Sequence, residues 1–337
     1  MKKILKRRPP DRAQTLRLAF QMGFLAVNLW IGAQFYLWVR YYESGGTSWR
    51  VARPPGVEGW LPIASLMNLK AWLLTGDLPA VHPAGVFIFI AFLIISLLLS
   101  KSLCSWLCPV GTISEALYKF GERVFGRTLR MPGWLDIPLR GIKYVLLAFF
   151  IWAVGGMSVA AIRGFLEGPY GLVADVKMLN FFRDLSPAAS VVILVLIGLS
   201  VIFRNFWCRY ACPYGALMGL VSLAGPARVR RDPNLCVDCG KCSQVCPSIL
   251  PVDRLRVVRS AECTGCYECV SVCPADLALE MTFSRRRRLR PLVLAAAMAA
   301  VFFGLVAAAR IADRWETRVP EALLHELVPQ ANHFAHP

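Results

Sequence analysis

Eight of the twelve cysteines fall into two runs, CVDCGKCSQVCP from Cys236 and CTGCYECVSVCP from Cys263, which begin 27 residues apart. Each run spaces its thiols as C-x2-C-x2-C-x3-C-P, and no other feature restricts the chain so strongly. Three thiols on one tight loop suit three corners of a [4Fe-4S] cube, and the fourth of each run crosses to the other cube. The spacing therefore assigns Cys236, Cys239, Cys242 and Cys273 to one cube and Cys263, Cys266, Cys269 and Cys246 to the second. Pro247 and Pro274 turn the chain away. Gly240, Gly265 and Ser243 leave room for backbone amides to approach the inorganic core. Zinc sites favour two separated pairs of cysteine or histidine. All twelve cysteines lie in four motifs, on the side argued below to be reducing, so ligation is expected rather than cross-linking.

The remainder of the chain is too apolar for an ordinary soluble protein: 56% of its 337 residues are hydrophobic and the mean hydropathy is +0.51, which predicts a membrane protein. Five spans are expected, at Leu18–Val39, Ala84–Leu103, Ile142–Ala161, Ala188–Phe203 and Pro291–Ala309. The first is too long for a signal-peptide core, and Arg7-Arg8 with Pro9-Pro10 behind it reads as an inner anchor rather than an export signal. The stretch Trp60–Leu74 suits the membrane interface. The net charge of +17 would raise the question of nucleic acid in a soluble chain. Here, with the amino terminus inside, 28 of the 38 basic residues fall on inner segments and 10 on outer ones. That is the asymmetry of a membrane protein with a cytoplasmic amino terminus, and no nucleic-acid partner is needed. The cluster Arg285–Arg288 fixes the fifth span, with docking of an acidic redox protein as a second role.

The expected architecture is an α-helical polytopic membrane protein with an inserted α+β bacterial-type 2[4Fe-4S] ferredoxin domain. Its parts are a cytoplasmic amino terminus (1–17), a four-span membrane domain (18–227), the ferredoxin domain (228–284), a basic anchor with the fifth span (285–309) and a periplasmic, solvated tail (310–337). The membrane domain contains a repeat. Cys104, Cys108, Pro109 and Gly111 match Cys208, Cys212, Pro213 and Gly215 at an offset of 104, and Glu58-Gly59 matches Glu167-Gly168 at 109. Both copies run the same way, so a pseudo-twofold axis along the membrane normal would bring the two C-x3-C pairs together. Cysteines at i and i+4 share one helix face, about 5–6 Å apart. Four such thiols suit a third metal or iron-sulfur centre, reversible disulfides, or the burial of small apolar groups.

These residues resemble the membrane-bound polyferredoxin family, which includes the quinol-dehydrogenase subunit of periplasmic nitrate reductase, the nitrous-oxide reductase maturation regulator and FixG-like oxidase-assembly proteins. Within it, RPPGVEGWLPI, CSWLCPVGT, WLDIPLRG and CRYACPYGALMG are similar to the YccM type of electron-transport protein. The likeness covers roughly residues 51–279. It lacks the flavin-bearing outer domain of the maturation regulator and the immunoglobulin-like domain of the FixG type. The resemblance implies electron transfer at the inner membrane.

Two functions follow as expectations. One is a conduit between the quinone pool and a redox partner through the two cytoplasmic clusters. A quinol site needs an apolar slot with a proton acceptor, and Glu58, Glu167, His82, Trp60 and Lys70 are its candidates near the outer interface; each has a plain structural role as the alternative. The other is a metal-handling or assembly factor, for example in cupric reduction, whose tail residues His325, His333 and His336 would add a site outside.

Overall fold

The computed structural model describes residues 12–126, 129–284 and 287–336. The Arg7-Arg8 anchor and the first half of the Arg285–Arg288 cluster lie outside the described residues. The chain divides into two compact units, each assembled from three separated segments. Unit one is Met1–Leu25, Phe92–Leu147 and Leu194–Val301; unit two is Ala26–Ala91, Ala148–Ile193 and Phe302–Pro337.

Among the described residues, four helices are long and apolar enough to cross a bilayer: Ala13–Glu43, Pro83–Trp106, Gly133–Gly156 and Pro291–Ile311. The expected fourth span is the shorter helix Pro187–Ile202, bent by 80° from the preceding Ala174–Arg183, and it makes a fifth crossing only if that pair is one span. The third span also starts earlier than expected and stops at Gly156. Ser158 ends it by capping the next helix, Val159–Glu167, its hydroxyl accepting from the Ala161 amide at 3.1 Å. Large apolar side chains such as Trp30, Trp152, Leu194 and Leu292 stand exposed along these helices. Helices satisfy their own backbone groups and can present such side chains to lipid, so the exposed rows mark a multi-pass membrane protein.

In unit one, β1 (Ala227–Arg231) pairs antiparallel with β2 (Leu279–Phe283), Ala227 facing Phe283 and Arg231 facing Leu279. β2 also pairs with β3 (Arg287–Arg288). Val229, Leu279 and Met281 are buried beneath this small sheet. Everything between β1 and β2 is the cysteine-rich module, so its two ends leave the helices side by side.

Unit two corrects the expectation of a solvated tail. Helix Glu321–Leu327 follows the last long helix, and Leu327, Val328 and Ala331 are buried in a cluster with Phe35, Trp38, Val39 and Val176. Lys177 donates to the carbonyls of Ala331 and Phe334 at 2.9 and 2.8 Å, and Asn180 donates to Asn332 at 3.0 Å. Burial of Leu327 and Val328 supplies on the order of 1.5–3 kcal/mol each, which is what holds the tail down. Periodicity could not announce this, because seven residues of helix carry too short a pattern.

Candidate redox centres

Both cysteine-rich loops of unit one have the same backbone. Asp238 and Gly240 in the first run, and Gly265 and Tyr267 in the second, all take left-handed conformations, with φ of 52°, 68°, 58° and 61°. Successive left-handed turns fold the loop into a concavity lined by amides, the geometry that receives an anionic sulfur cluster. Cys246, Cys263, Cys266 and Cys269 line one cavity, walled by Val229, Leu250, Val252 and Val258. Burial pushes the Cys263 thiol up to about 11 and Cys266 up to about 12, although amides of Gly265 and Glu268 and the charge of Arg17 pull the other way. Cys242 lies within electrostatic reach of Cys273, and Cys236 of Arg231. Cys269 faces Cys242 as well as Cys246, so the two sets adjoin there. They differ in depth: Cys246, Cys266 and Cys269 are buried whereas Cys239 is exposed.

Among the described residues, no three His, Cys, Asp or Glu side chains converge as a single metal ion requires. A tetrahedral zinc would draw its sulfurs to about 3.8 Å apart. A cube holds its thiolates wider than that, and four cysteines lining one cavity between amide-lined loops are a donor set that suits it.

The two C-x3-C-P elements also meet in unit one, by a route that sequence spacing did not reveal. The cysteines of a pair do not share one helix face. Cys104 sits in the short helix Leu103–Trp106 and Cys108 is the N-cap of Pro109–Phe125. Cys208 sits in the wide turn Trp207–Ala211 and Cys212 is the N-cap of Pro213–Leu223. In both copies the second cysteine's amide reaches back five residues, Cys108 to Leu103 and Cys212 to Trp207, each at 3.0 Å. Such widened turns recur where function distorts a helix. The following Pro suits the first helical position. Gly215 donates its amide to the Cys212 sulfur at 3.2 Å. A Cβ on Gly111 would lie 2.1 Å from the Cys104 carbonyl oxygen, and one on Gly215 would lie 3.5 Å from Cys212 Sγ and 3.6 Å from Lys101 Nζ. The close approach requires glycine at 111, whereas at 215 a Cβ would make only ordinary contact. Cys208 lies within electrostatic reach of Cys104, Cys108 and Cys212, so the four thiols form one quartet.

The quartet's flanks clasp the buried cysteine loops. Ser100 donates to the Cys263 carbonyl at 3.2 Å, Ser105 to Thr264 at 2.6 Å and the Trp106 indole to Gly265 at 3.2 Å. From the other copy, Arg204 donates to the carbonyls of Gln244 and Cys246, and Arg209 to Ser248 at 2.6 Å. Gln14 donates to Cys266 at 3.0 Å, and the buried Arg17 bridges Glu115 and Glu268, both at 2.7 Å. Close by, Lys143 Nζ lies 2.6 and 2.7 Å from the two Glu262 oxygens. Burial would raise the Glu262 carboxyl, but Lys101 and Lys143 hold it below its ordinary range.

Of the residues considered for a quinol site, unit two brings Glu58 and His82 together and gives Glu167, Trp60 and Lys70 other surroundings. Arg53 Nη1 donates to Glu58 at 2.7 Å and Arg53 Nη2 to Asp175 at 2.6 Å. Thr317 and the Gly85 amide donate to the two oxygens of Glu58. His82 Nε2 lies 2.9 Å from the Gly171 carbonyl, while its Nδ1 is 3.3 Å from Arg53 and 3.8 Å from Glu58, the latter an electrostatic rather than a hydrogen-bonding distance. Burial opposes the Glu58 charge, yet Arg53, with help from His82 and Thr317, holds the carboxyl at about 2. Burial likewise opposes charge on His82, and the carboxylates of Glu58 and Asp175 raise it nonetheless. Glu167 is a correction: it stands exposed at the end of its helix and does not join Glu58. Lys70 caps a helix end, donating to the carbonyls of Val154, Gly155 and Met157, and Trp60 donates to Asn28. Arg53 and Asp175 were missed because neither carries a spacing signal; only an inventory of charges needing buried partners would have found them. The tail histidines are dispersed: His325 packs on Tyr41 and Tyr42, His336 on Phe165 and Tyr170, and His333 is exposed.

A model of a 4Fe-4S binding domain matches this chain twice, at residues 81–128 and 185–231, each match enclosing one C-x3-C-P element. A 4Fe-4S dicluster domain matches residues 228–274. YccM of Escherichia coli (strain K12), which bears an electron-transport designation, is 48% identical over 96% of this chain and 92% of its own length. The ferredoxin-type protein NapH of the same organism is 31% identical over 54% of this chain and 59% of its own length. The methylamine utilization ferredoxin-type protein MauN of Methylorubrum extorquens is 28% identical over 56% of this chain and 62% of its own. No solved structure matches. Near-complete likeness to one relative, with iron-sulfur domains matched across the cysteine-bearing segments, establishes that the chain belongs to the membrane-bound polyferredoxins, ferredoxin-type proteins of electron transport.

Proposed function

We propose that the protein passes electrons between the quinone pool and a redox partner, through two [4Fe-4S] clusters held by Cys236, Cys239, Cys242 with Cys273 and by Cys263, Cys266, Cys269 with Cys246. The observation that carries this reading is the clasp between the C-x3-C-P elements and the buried loops. It packs residues flanking the quartet directly against the loops of Cys246, Cys263 and Cys266, while the first run reaches an exposed edge at Cys239. When bound, each cube supplies a one-electron couple, so two cubes match a two-electron donor. The protein's own part is to exclude water from the buried set, fix the loops through Ser105, Trp106 and Arg209, and present Cys239 to the partner. Cys104, Cys108, Cys208 and Cys212 would hold a third centre that receives the electrons first, and the duplicated iron-sulfur domain match supports it.

Quinol would be met in unit two. An open cavity of about 470 Å³ lies among Trp38, Tyr41, Tyr42 and Arg50 and is floored by Arg53, which ties it to Glu58, Asp175 and His82. Aromatic walls suit a quinone ring and Arg53 suits its oxygens. Glu58 is too weak a base to take the proton and would act by holding Arg53 and His82. The distribution of basic residues supports a bacterial inner membrane location, with the amino terminus and the ferredoxin domain cytoplasmic and the tail periplasmic. The test uses inverted membrane vesicles carrying the full chain. Reduced quinone should develop cluster EPR signals, and vesicles with Cys269→Ser should lose those of the buried cluster. Clusters that stay oxidised under quinol, yet reduce with dithionite, would end the quinone reading.

A further inference from the structure

Lys101 is buried in a helix of membrane-spanning length, three residues before Cys104. An ammonium in such a place needs a counter-charge, since an uncompensated buried ion costs several kcal/mol at least. Among the described residues, the one carboxylate within its reach, Glu262, is shared with a second buried cation, Lys143. Glu262 is engaged by Lys143 through both oxygens and by Tyr144 at 3.1 Å. Asp136, on the helix that carries Lys143, is engaged by Arg209, Arg140 and Tyr210. Two carboxylates thus face Lys101, Lys143, Arg209 and Arg140, and cations are left over. Beyond that shared carboxylate, what Lys101 faces is sulfur: Cys104, Cys208 and Cys212 are within its electrostatic reach, and it shares the space above Gly215 with Cys212 Sγ.

Protonated thiols are neutral. Disulfides are neutral as well, their formation releasing two protons and two electrons for each bond. Neither compensates Lys101. Four thiolates on an iron-sulfur centre carry net negative charge, and the amides at the N-termini capped by Cys108 and Cys212 favour that sign too. We propose that Lys101 is the buried counter-cation of an anionic, thiolate-ligated iron-sulfur centre at Cys104, Cys108, Cys208 and Cys212. This rests on the third centre put forward above and fixes its charge class, setting disulfides aside. As a positioning residue, Lys101 favours the state with one more electron and so raises the potential of the centre.

The test compares full-length protein, purified without oxygen, with Lys101→Met, Lys101→Arg and the charge-neutral exchange Arg183→Met with Glu43→Gln, an ion pair of unit two. Iron and sulfide are counted, and EPR is followed through a redox titration. The parent should hold iron beyond that of two cubes. Lys101→Met should lose that extra iron or move its midpoint to more negative potential while the ferredoxin signals stay in place; Lys101→Arg should restore the parent behaviour, and the neutral exchange should leave it unchanged. Extra iron whose midpoint does not move in Lys101→Met, or an arginine variant that behaves like methionine, overturns the counter-cation alone. A parent with only the iron of two cubes, its quartet recovered as disulfides, overturns the third centre and the counter-cation together.

Discussion

The two units solve the burial of charge in opposite ways. In unit two, Arg53 stands between Glu58 and Asp175 with His82, Thr317 and Gly85 completing the set, so the protein supplies both signs itself. In unit one, cations and amides converge on sulfur: Lys101 on the quartet, Arg204 and Arg209 on the Cys246 loop, Arg17 beside Cys266. In unit two the buried cation is answered by carboxylates alone, whereas in unit one Arg17, Lys143 and Arg209 are shared between carboxylates and sulfur. Stability in unit two should therefore answer to side chains and pH, and stability in unit one to iron.

The comparison breaks most visibly at a cluster ligand. Cys269→Ser should halve the ferredoxin iron and sulfide per chain, and the cysteine-rich module should become sensitive to protease while residues 312–336 stay protected; loss of both would show that the units do not answer separately. Next in size is Arg53→Met. Removing one member of a buried ionic set leaves the others uncompensated, at a cost of about 3–5 kcal/mol in detergent unfolding, with the iron content unchanged.

The pH profile of unit two sharpens the contrast. Glu58 is held at about 2 against an ordinary 4.5, so its contribution, about 3 kcal/mol, is present above pH 4.5 and is lost as pH falls through the folded value. His82 is raised above 6.5, so its contribution is present below pH 6.5 and is lost as pH rises through its folded value. Unit two should be most stable between about pH 4.5 and 6.5, as read by tryptophan fluorescence of Trp38 during unfolding, and Glu58→Gln should flatten the acid limb. The smallest change is at the clasp. Ser105→Ala removes one hydrogen bond to Thr264 and should cost about 1 kcal/mol, seen as faster loss of iron to a chelator, with no change in the Trp38 signal.

Legibility in the sequence followed the same division. Cysteine spacing is a local signal, written into each tight loop by ligand geometry, and it placed Cys246 with Cys263, Cys266 and Cys269, the four that line one cavity. Long apolar runs similarly revealed the spans, although the break before Pro187 and the Ser158 cap shifted two of them. The offset of 104 residues pointed to which cysteines would meet, but not to the helix break between Cys104 and Cys108, because a widened turn is a backbone feature that residue spacing does not specify. Arg53, Asp175 and Thr317 are brought together only by tertiary packing from distant stretches, and although Arg53 opens the RPPGVEGWLPI stretch, nothing in that stretch names its partners. Glu167 shows the reverse error: a repeated Glu-Gly pair looked like shared chemistry and proved to be the exposed end of a helix.

The pairing of Ala227 with Phe283 has a consequence for how such chains diversify. A segment whose two ends emerge side by side can be exchanged for another of the same stem without re-routing the chain, provided that the substitute meets the contacts of Ser105, Trp106 and Arg209. Grafting another module of the same stem between these strands would exchange the cysteine-rich part and leave the apolar helices as they are.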